Sequence, residues 1–333
     1  MTEEHPFAAY VRILGKGPNL SRALTEDEAF TAMRMILSDE VEPIQLGAFL
    51  CLLRVKTETA TEVSGIVRAA RAGLTRPAGP SPIDLDWPSY AGKTRRLPWY
   101  LVAARLLADR GIRVLLHGSA GQSPDRLHAD LILDALSIPR TTSLVEAGEQ
   151  ASRTSIAYIP LSSFAPRLDS LLKLRSILGV RSPLNTVLRQ LNPLGAPHLL
   201  IGVAHPSYRA VHRAAAALTR QPHMAVFKGE GGEAERRPEK DCEVFCLHDD
   251  ATSEETFEAM IRGPVEPVEQ PLDPRYIAAV WEGEIEDPIA EAAIIGTAAI
   301  AIRLLRRAST RDAAVALARD WWLNRSRAGI RTA

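Results

Sequence analysis

The hydrophobic pattern of the first 74 residues predicts three helices in succession. Thr25, with Glu28 three residues later, forms a capping-box signature ahead of apolar side chains at helical spacing. A second apolar run covers 44–55, and another capping-box signature precedes a third run. Three prolines within 76–82 rule out a continuous helix and indicate a linker. We therefore predict an N-terminal helical domain over 1–75.

Beyond this linker, short apolar runs typical of buried strands alternate with helical patterns. The strand candidates are 83–85, 114–116, 156–159, 199–203 and 225–227. The helical patterns are 101–109, 124–136, 288–307 and 310–322. This alternation predicts an α/β fold with a mainly parallel central sheet.

Composition narrows the class of protein without indicating its chemistry. The chain has 333 residues, of which 46% are hydrophobic, enough for a substantial core. Basic and acidic residues number 40 each, so any basic surface must arise from local clustering. No window approaches the roughly 18 apolar residues of a membrane span, and the N-terminus does not resemble a signal peptide. We expect a cytoplasmic protein without a membrane partner, and the three cysteines do not indicate disulfides or zinc.

Two segments resemble the anthranilate phosphoribosyltransferase family, glycosyltransferase family 3. One is LTEDEAFTAMRMILSDEVEPIQLGAFLCLLRVKTET near the N-terminus, and the other is FAPRLDSLLKLRSILGVRSPLNTVLRQLNPLGAP at 164–197. The resemblance implies the fold of nucleoside phosphorylases and phosphoribosyltransferases, with a cleft between a small helical domain and a larger α/β domain. Residues 165–195 would then pack onto the helical domain, leaving 76–164 and 196–333 as the α/β domain. It also implies a homodimer formed through the helical domain.

The first functional motif of the family is a glycine-rich loop, GTGGDG, whose backbone N–H groups bind a diphosphate. Residues 88–96 stand in its place, where Gly92 is the one remaining glycine and Tyr90 is bulky. We therefore do not expect a compact diphosphate nest here. The replacement instead supplies side-chain cations that bind phosphate oxygens at longer reach. These are Lys93, Arg95 and Arg96.

The second motif, KHGN in the family, is Leu116-His117-Gly118-Ser119 in this chain. Leucine removes a cation that would face the substrate, and serine is shorter than asparagine. His117 is either a ligand-binding imidazole or a histidine whose hydrogen bonds are satisfied at a strand end. The serine-rich phosphate loop of the family becomes 120–124, with one hydroxyl.

The third motif, GEDGLDE in the family, holds magnesium and corresponds to 229–235 here. The first acid becomes Ala234 while Glu235 persists, which predicts a weak metal site at most. Neighbouring acids that could compensate are Glu230 and Glu233. The two residues that follow, Arg236 and Arg237, would make the loop tip basic.

The substitutions PSYxG, VLLHG, FAPRL, AHPSY and GEGGE resemble the YbiB-type branch of TrpD-like proteins. Members of that branch bind single- and double-stranded nucleic acid with little sequence preference and lack the parent transferase activity. The resemblance implies a non-catalytic nucleic-acid binding protein without a cofactor, in which Tyr90 could stack on a base. The candidate phosphate contacts are Lys93, Arg95, Arg96, Lys173, Arg175, Arg181, Lys228, Arg236 and Arg237.

Two alternative functions use the same cleft. One is a transferase with an altered substrate, in which Glu235 and a neighbouring acid would hold Mg²⁺. The other is the binding of a small anion, which would depend less steeply on salt than polymer binding. Arg181 corresponds to the arginine that faces the anthranilate carboxylate in the family, or forms a structural ion pair. Asp169, at the position of a family histidine, would repel anthranilate.

Overall fold

The computed structural model describes residues 3–79, 81–119, 126–263 and 271–327. Its N-terminal part consists of α1 (Ala8–Gly15), α2 (Glu26–Leu37), α3 (Pro43–Lys56) and α4 (Ala60–Ala72). The predicted capping box begins α2, because Thr25 Oγ1 accepts from the Glu28 N–H and Glu28 accepts from the Thr25 N–H. The same reciprocal arrangement begins α4.

The helices of the central block share a core with the N-terminal helices. They are α7 (Leu161–Phe164), α8 (Pro166–Lys173), α9 (Arg175–Leu178) and α10 (Leu184–Val187), followed by a 3₁₀ turn at Leu188–Gln190. Leu168, Leu171 and Leu188 are buried together with Phe49 and Val67. The helical part therefore combines two segments that are distant in sequence.

A seven-stranded sheet forms the centre of the α/β part within the described residues. Its strands are β1 (Leu85–Ser89), β2 (Val114–Gly118), β3 (Ile156–Pro160), β4 (His198–Val203), β5 (His223–Lys228), β6 (Cys242–His248) and β7 (Ala251–Phe257). The order is β3-β2-β1-β4-β5-β6-β7. The first five strands in this order are parallel to one another, and the β5–β6 and β6–β7 pairs are antiparallel.

Helices cover this sheet and complete its core. They are α5 (Trp99–Ala108), α6 (Leu144–Thr154), α11 (Tyr208–Leu218), α12 (Pro274–Glu282), α13 (Pro288–Leu304) and α14 (Arg311–Leu323). Most of α13 is buried, because it is apolar on nearly every face and packs against both α5 and α14. No helix in the described ranges is long and apolar enough to cross a membrane.

The predicted fold class, a helical domain beside an α/β domain with a mainly parallel sheet, is confirmed. Two details of the sequence prediction are wrong. The predicted helix over 124–136 is replaced, in its described part, by 3₁₀ turns at Ala129–Leu131 and Asp134–Leu136. The β6–β7 hairpin was not predicted, because β7 lies at the sheet edge and its mostly exposed polar residues give no hydrophobic alternation.

Candidate functional site

The candidate site lies at the edge of the sheet where the parallel strands end. The order of strands reverses between β1 and β4, and open α/β sheets bind ligands at such a switch point. The loops that follow these strands and β5 bring 90–96, 204–208 and 229–235 to this edge. Segment 175–189 of the helical part faces the same loops, since its arginines line cavities with residues after β1 and β4.

A buried carboxylate occupies the backbone donors of the loop that replaces the glycine-rich motif. The N–H groups of Ala91 and Gly92 both donate to Glu233 Oε1, each at 2.7 Å. Gly92 has a φ of +66°, and a Cβ there would lie 2.9 Å from the His128 ring, which explains why this glycine persists. These N–H groups therefore already bind an anion that belongs to the protein itself.

Glu235 forms a buried ion pair with Lys93. Lys93 Nζ lies 2.5 Å from Glu235 Oε1, and the two side chains are each 2% exposed. The other oxygen, Oε2, accepts from the Tyr100 N–H at 2.9 Å. Burial raises the pKa of Glu235, and the adjacent Lys93 opposes that rise. The interpretation of Lys93 as a solvent-facing phosphate contact is therefore wrong, because its charge is internal and paired.

His117 lies inside a buried chain of hydrogen bonds. Its Nδ1 is 2.7 Å from the Tyr90 hydroxyl, and its Nε2 is 3.1 Å from Asp86 Oδ2. All three side chains are buried, and burial raises the pKa of Tyr90 well above its ordinary value. The structure supports the satisfied-histidine interpretation of His117. It corrects the suggestion that Tyr90 stacks on a base, because the ring is 6% exposed.

Gly118 and Ser119, at the end of β2, also make contacts within the protein. A Cβ on Gly118 would lie 2.2 Å from the Ser89 carbonyl oxygen of the adjacent strand. Ser119 Oγ donates to Asp169 Oδ1 at 2.8 Å, and Lys173 Nζ lies 2.6 Å from Asp169 Oδ2. Lys173 is thus exposed but paired. The phosphate loop assigned to 120–124 lies outside the described residues.

The basic pair after the 229–235 segment divides into one buried and one exposed residue. Arg236 is 1% exposed, donates to the Glu258 carbonyl at 2.6 Å, and has a pKa lowered by burial. Its assignment as a nucleic-acid contact is wrong, because the guanidinium holds the protein's own backbone. Arg237 and Arg96 both reach Glu239, at 2.8 and 3.4 Å. Their charges are therefore partly offset.

The remaining candidates are exposed or partly exposed. Arg95 and Lys228 are exposed, and the side chain of neither has a hydrogen bond or ion pair among the described residues. Arg181 is half-buried and likewise has no such partner in the described ranges. These three side chains can therefore present their charges to a ligand.

Arg181 stands at the centre of an arginine cluster, defined here as Arg54, Arg126, Arg175, Arg181 and Arg189. Burial lowers the pKa of Arg181, and the other four guanidinium groups lower it further. Arg126 donates to the Ala91 carbonyl at 2.9 Å, and Arg189 donates to the Gly202 carbonyl at 3.1 Å. These acceptors are neutral carbonyl groups, and the nearby Glu233 carboxylate offsets part of the charge of Arg189.

The arginine cluster borders a cavity of about 290 Å³ between the helical part and the sheet edge. Arg54, Arg181 and Arg189 line it. Among the described residues one acid faces the cavity, Glu58, whose carboxylate accepts from the Tyr208 hydroxyl at 3.0 Å. Positive charge therefore exceeds negative charge around this cavity, which favours an anionic ligand.

Comparisons with known proteins agree with this architecture. Residues 9–72 match the helical bundle domain of a glycosyl transferase family. The uncharacterized protein YbiB of Escherichia coli K12 is 30% identical over 203 residues, which cover 60% of this chain and 63% of that protein. Anthranilate phosphoribosyltransferase of Gluconobacter oxydans is 32% identical over 188 residues, 55% of this chain and 51% of the enzyme. The chain is therefore TrpD-like: it is similar to glycosyltransferase family 3 proteins in its helical bundle domain and in sequence.

Solved structures of this family share its fold over almost the whole chain. Anthranilate phosphoribosyltransferase (TrpD) of Thermus thermophilus has a TM-score of 0.78 at 21% identity, covering 99% of this chain and 100% of that one. The Saccharomyces cerevisiae enzyme, solved in complex with PRPP (phosphoribosyl diphosphate) and Mg, has a TM-score of 0.71 at 17% identity, covering 96% and 94%. These identities establish the common fold. The matched sequence spans about half to two thirds of the two curated relatives.

The residues at the family's magnesium motif do not fit a magnesium ion in this TrpD-like chain. Magnesium requires carboxylate oxygens that are not already bound, in near-octahedral order. Glu235 is engaged by Lys93 and by Tyr100, and Glu233 Oε1 accepts two N–H groups. Glu230 lies 3.3 Å from Arg237. Within the described ranges, no group of three or more His, Cys, Asp or Glu side chains is arranged to hold a metal.

Sequence reasoning missed three of the five arginines in the cluster. Arg54 lies in the last turn of α3, Arg126 follows the phosphate loop, and Arg189 lies in the central block. They are far apart along the chain, so no local charge pattern connects them. The signal that could have found them was the family fold itself, which brings these three segments to one cleft.

Proposed function

We propose that this protein binds nucleic acid through the arginine cluster, without sequence preference, and does not carry out phosphoribosyl transfer. The observation that carries the proposal is the crowding of five guanidinium groups, of which four surround Arg181 and lower its pKa. Such crowding costs free energy in the unliganded protein, and a polymer's phosphates would relieve it. Guanidinium groups also bind phosphate oxygens in bidentate geometry.

The site's surroundings favour a backbone-directed contact over base reading. Tyr90 and His117, the ring side chains of the replaced motifs, are both buried. Contacts to phosphates position a nucleic acid but carry no sequence information directly. The proposal therefore includes both single and double strands, and it assigns the exposed Arg95 and Lys228 as outlying contacts.

The first test of this proposal is fluorescence anisotropy with a labelled oligonucleotide, titrated at two salt concentrations. If all five cluster arginines neutralise phosphates of a single strand, the logarithm of the affinity should fall with the logarithm of salt with a slope of about −3.5. A slope near zero, or the absence of binding at low salt, would contradict the proposal.

We also propose that two copies of the chain associate through α3. Its residues Ile44, Ala48, Cys51 and Val55 form an apolar stripe at the spacing of one helix face, and Ile44 and Val55 are 87% and 85% exposed. Ile177 in α9 is 80% exposed, and Gly47 in α3 lies next to Leu178. An apolar surface of this kind marks a contact with another protein surface. A second copy would place two clefts on one particle.

Charging this stripe should separate the two copies. The double substitution Ile44→Glu and Val55→Glu is expected to halve the mass measured by light scattering, because it places charges in an apolar interface. Leu131→Glu, at an exposed position of the α/β part, is the matched control and should leave the mass unchanged. A wild-type protein that is monomeric at micromolar concentration would contradict the association.

A further inference from the structure

We infer that Glu233 is an internal anion that closes a latent phosphate site, so that this cleft rejects compact diphosphates and accepts the phosphates of a polymer. This inference rests on the proposed function and adds the class of ligand that the cleft excludes. Three features carry it: the backbone donors, the position of Glu233 and the arginines beside it. Removing the carboxylate should therefore create a binding site for a small diphosphate.

The donors of the latent site are two successive backbone N–H groups. Those of Ala91 and Gly92 converge on one oxygen of Glu233, each at 2.7 Å. Successive N–H groups in a turn that includes a left-handed residue form a concave anion-binding site, and Gly92 supplies that residue with its φ of +66°. A carboxylate oxygen and a phosphate oxygen make equivalent demands on such donors.

The segment that carries Glu233 is held in place by tight packing. A Cβ on Gly202, in β4, would lie 2.2 Å from the carbonyl carbon and oxygen of Glu233. The turn is closed by the Glu230 N–H, which donates to the Glu235 carbonyl at 2.7 Å. The Glu233 backbone is therefore fixed against the sheet, and its side chain is buried over the two donors.

The carboxylate binds the two donors and lies close to the positive charge of the cleft. Arg189 lies close to Glu233. Burial lowers the pKa of Arg189, and the Glu233 carboxylate opposes that lowering. A small recess lined by Ala91, Arg181 and Arg189 adjoins the same loop. With the carboxylate present, a second anion at this point would be repelled. Without it, two N–H donors and an arginine would face the same small volume, as a diphosphate requires.

Isothermal titration calorimetry with inorganic pyrophosphate, in the absence of metal, tests this inference. Glu233→Ala should bind pyrophosphate at least about tenfold more tightly than the wild type, because the two backbone N–H donors are then free to bind a phosphate oxygen. Glu233→Gln keeps the size of the side chain and removes its charge, so a smaller gain is expected. The control Glu230→Ala removes a neighbouring acid that contacts Arg237 and does not touch the two donors, so it should show no gain.

A folded Glu233→Ala or Glu233→Gln protein that binds pyrophosphate no better than the wild type would overturn the inference. A second measurement needs no variant. In wild-type protein labelled with ¹⁵N at alanine and glycine, the amide resonances of Ala91 and Gly92 should not move when pyrophosphate is added, and their movement would also overturn it. Oligonucleotide binding by the wild type is read separately, so its absence would remove the proposed function without deciding the pyrophosphate comparison.

Discussion

Replacing Lys93 with alanine is expected to lower the free energy of unfolding by about 3 to 5 kcal/mol, because Glu235 would remain as an unpaired buried charge. The two side chains are each 2% exposed and 2.5 Å apart, so the carboxylate has little access to solvent. The Tyr100 N–H alone would still bind the carboxylate. Chemical denaturation at neutral pH measures the loss.

The loss should also depend on pH in a defined direction. Burial raises the folded-state pKa of Glu235 above its unfolded value, and removing Lys93 raises it further. A carboxyl whose folded pKa is raised favours folding below its unfolded pKa, and that contribution disappears as pH rises through the folded pKa. The deficit of Lys93→Ala should therefore grow from acid to neutral pH.

Arg95→Ala is the matched control for this substitution, since Arg95 lies two residues away on the same loop and is exposed. It should change the free energy of unfolding by no more than about 0.5 kcal/mol. Equal effects of the two substitutions, or a Lys93→Ala deficit that shrinks as pH rises, would show that the buried pair has been misassigned.

The second large effect is expected for binding. Substituting Arg175 and Arg181 together with alanine should weaken oligonucleotide affinity by about 100-fold or more, because charge-assisted hydrogen bonds contribute about 1.5 to 3 kcal/mol each. The salt slope should become shallower by about 0.7 for each single-strand phosphate that is no longer neutralised. Anisotropy titrations of the variant and the wild type at matched salt concentrations measure both quantities.

Arg153→Ala serves as the control, because it removes one arginine charge, as each substitution in the cluster does, at a position far from the cleft. Arg153 lies in the last turn of α6, just before β3 begins at the edge of the sheet opposite the cleft, and its side chain donates to Gln150. Its removal should leave affinity and slope close to the wild-type values. An equal loss for Arg153→Ala would mean that diffuse charge, and not the arginine cluster, binds the polymer.

Much of the fold could be predicted from local patterns. The capping box at Thr25 located the start of α2, the linker over 76–82 marked the end of the N-terminal helices, and the apolar runs located the five parallel strands. Each of these signals depends on residues within one turn or one strand. The β6–β7 hairpin and the 3₁₀ turns after Arg126 gave no such signal, because their geometry depends on neighbouring elements.

The site was harder to predict, because burial and pairing there depend on residues far apart in sequence. Lys93 and Glu235 are 142 residues apart, and the Glu233 contact with Gly92 spans 141. A run of cations such as 93–96 therefore cannot be divided into internal and exposed charges without the structure. Arg175 and Arg181 were the exceptions, since the family resemblance made both candidate contacts and the structure places both at the cleft.

The most direct test of the central claim is a competition titration, in which PRPP with Mg²⁺ is added to the protein bound to a labelled oligonucleotide of about 20 nucleotides, longer than one single-strand site. We expect the oligonucleotide to bind in a salt-sensitive way and to remain bound when PRPP with Mg²⁺ is added. An oligonucleotide that does not bind, together with thermal stabilisation of the protein by PRPP and Mg²⁺, would contradict this claim and indicate a working transferase.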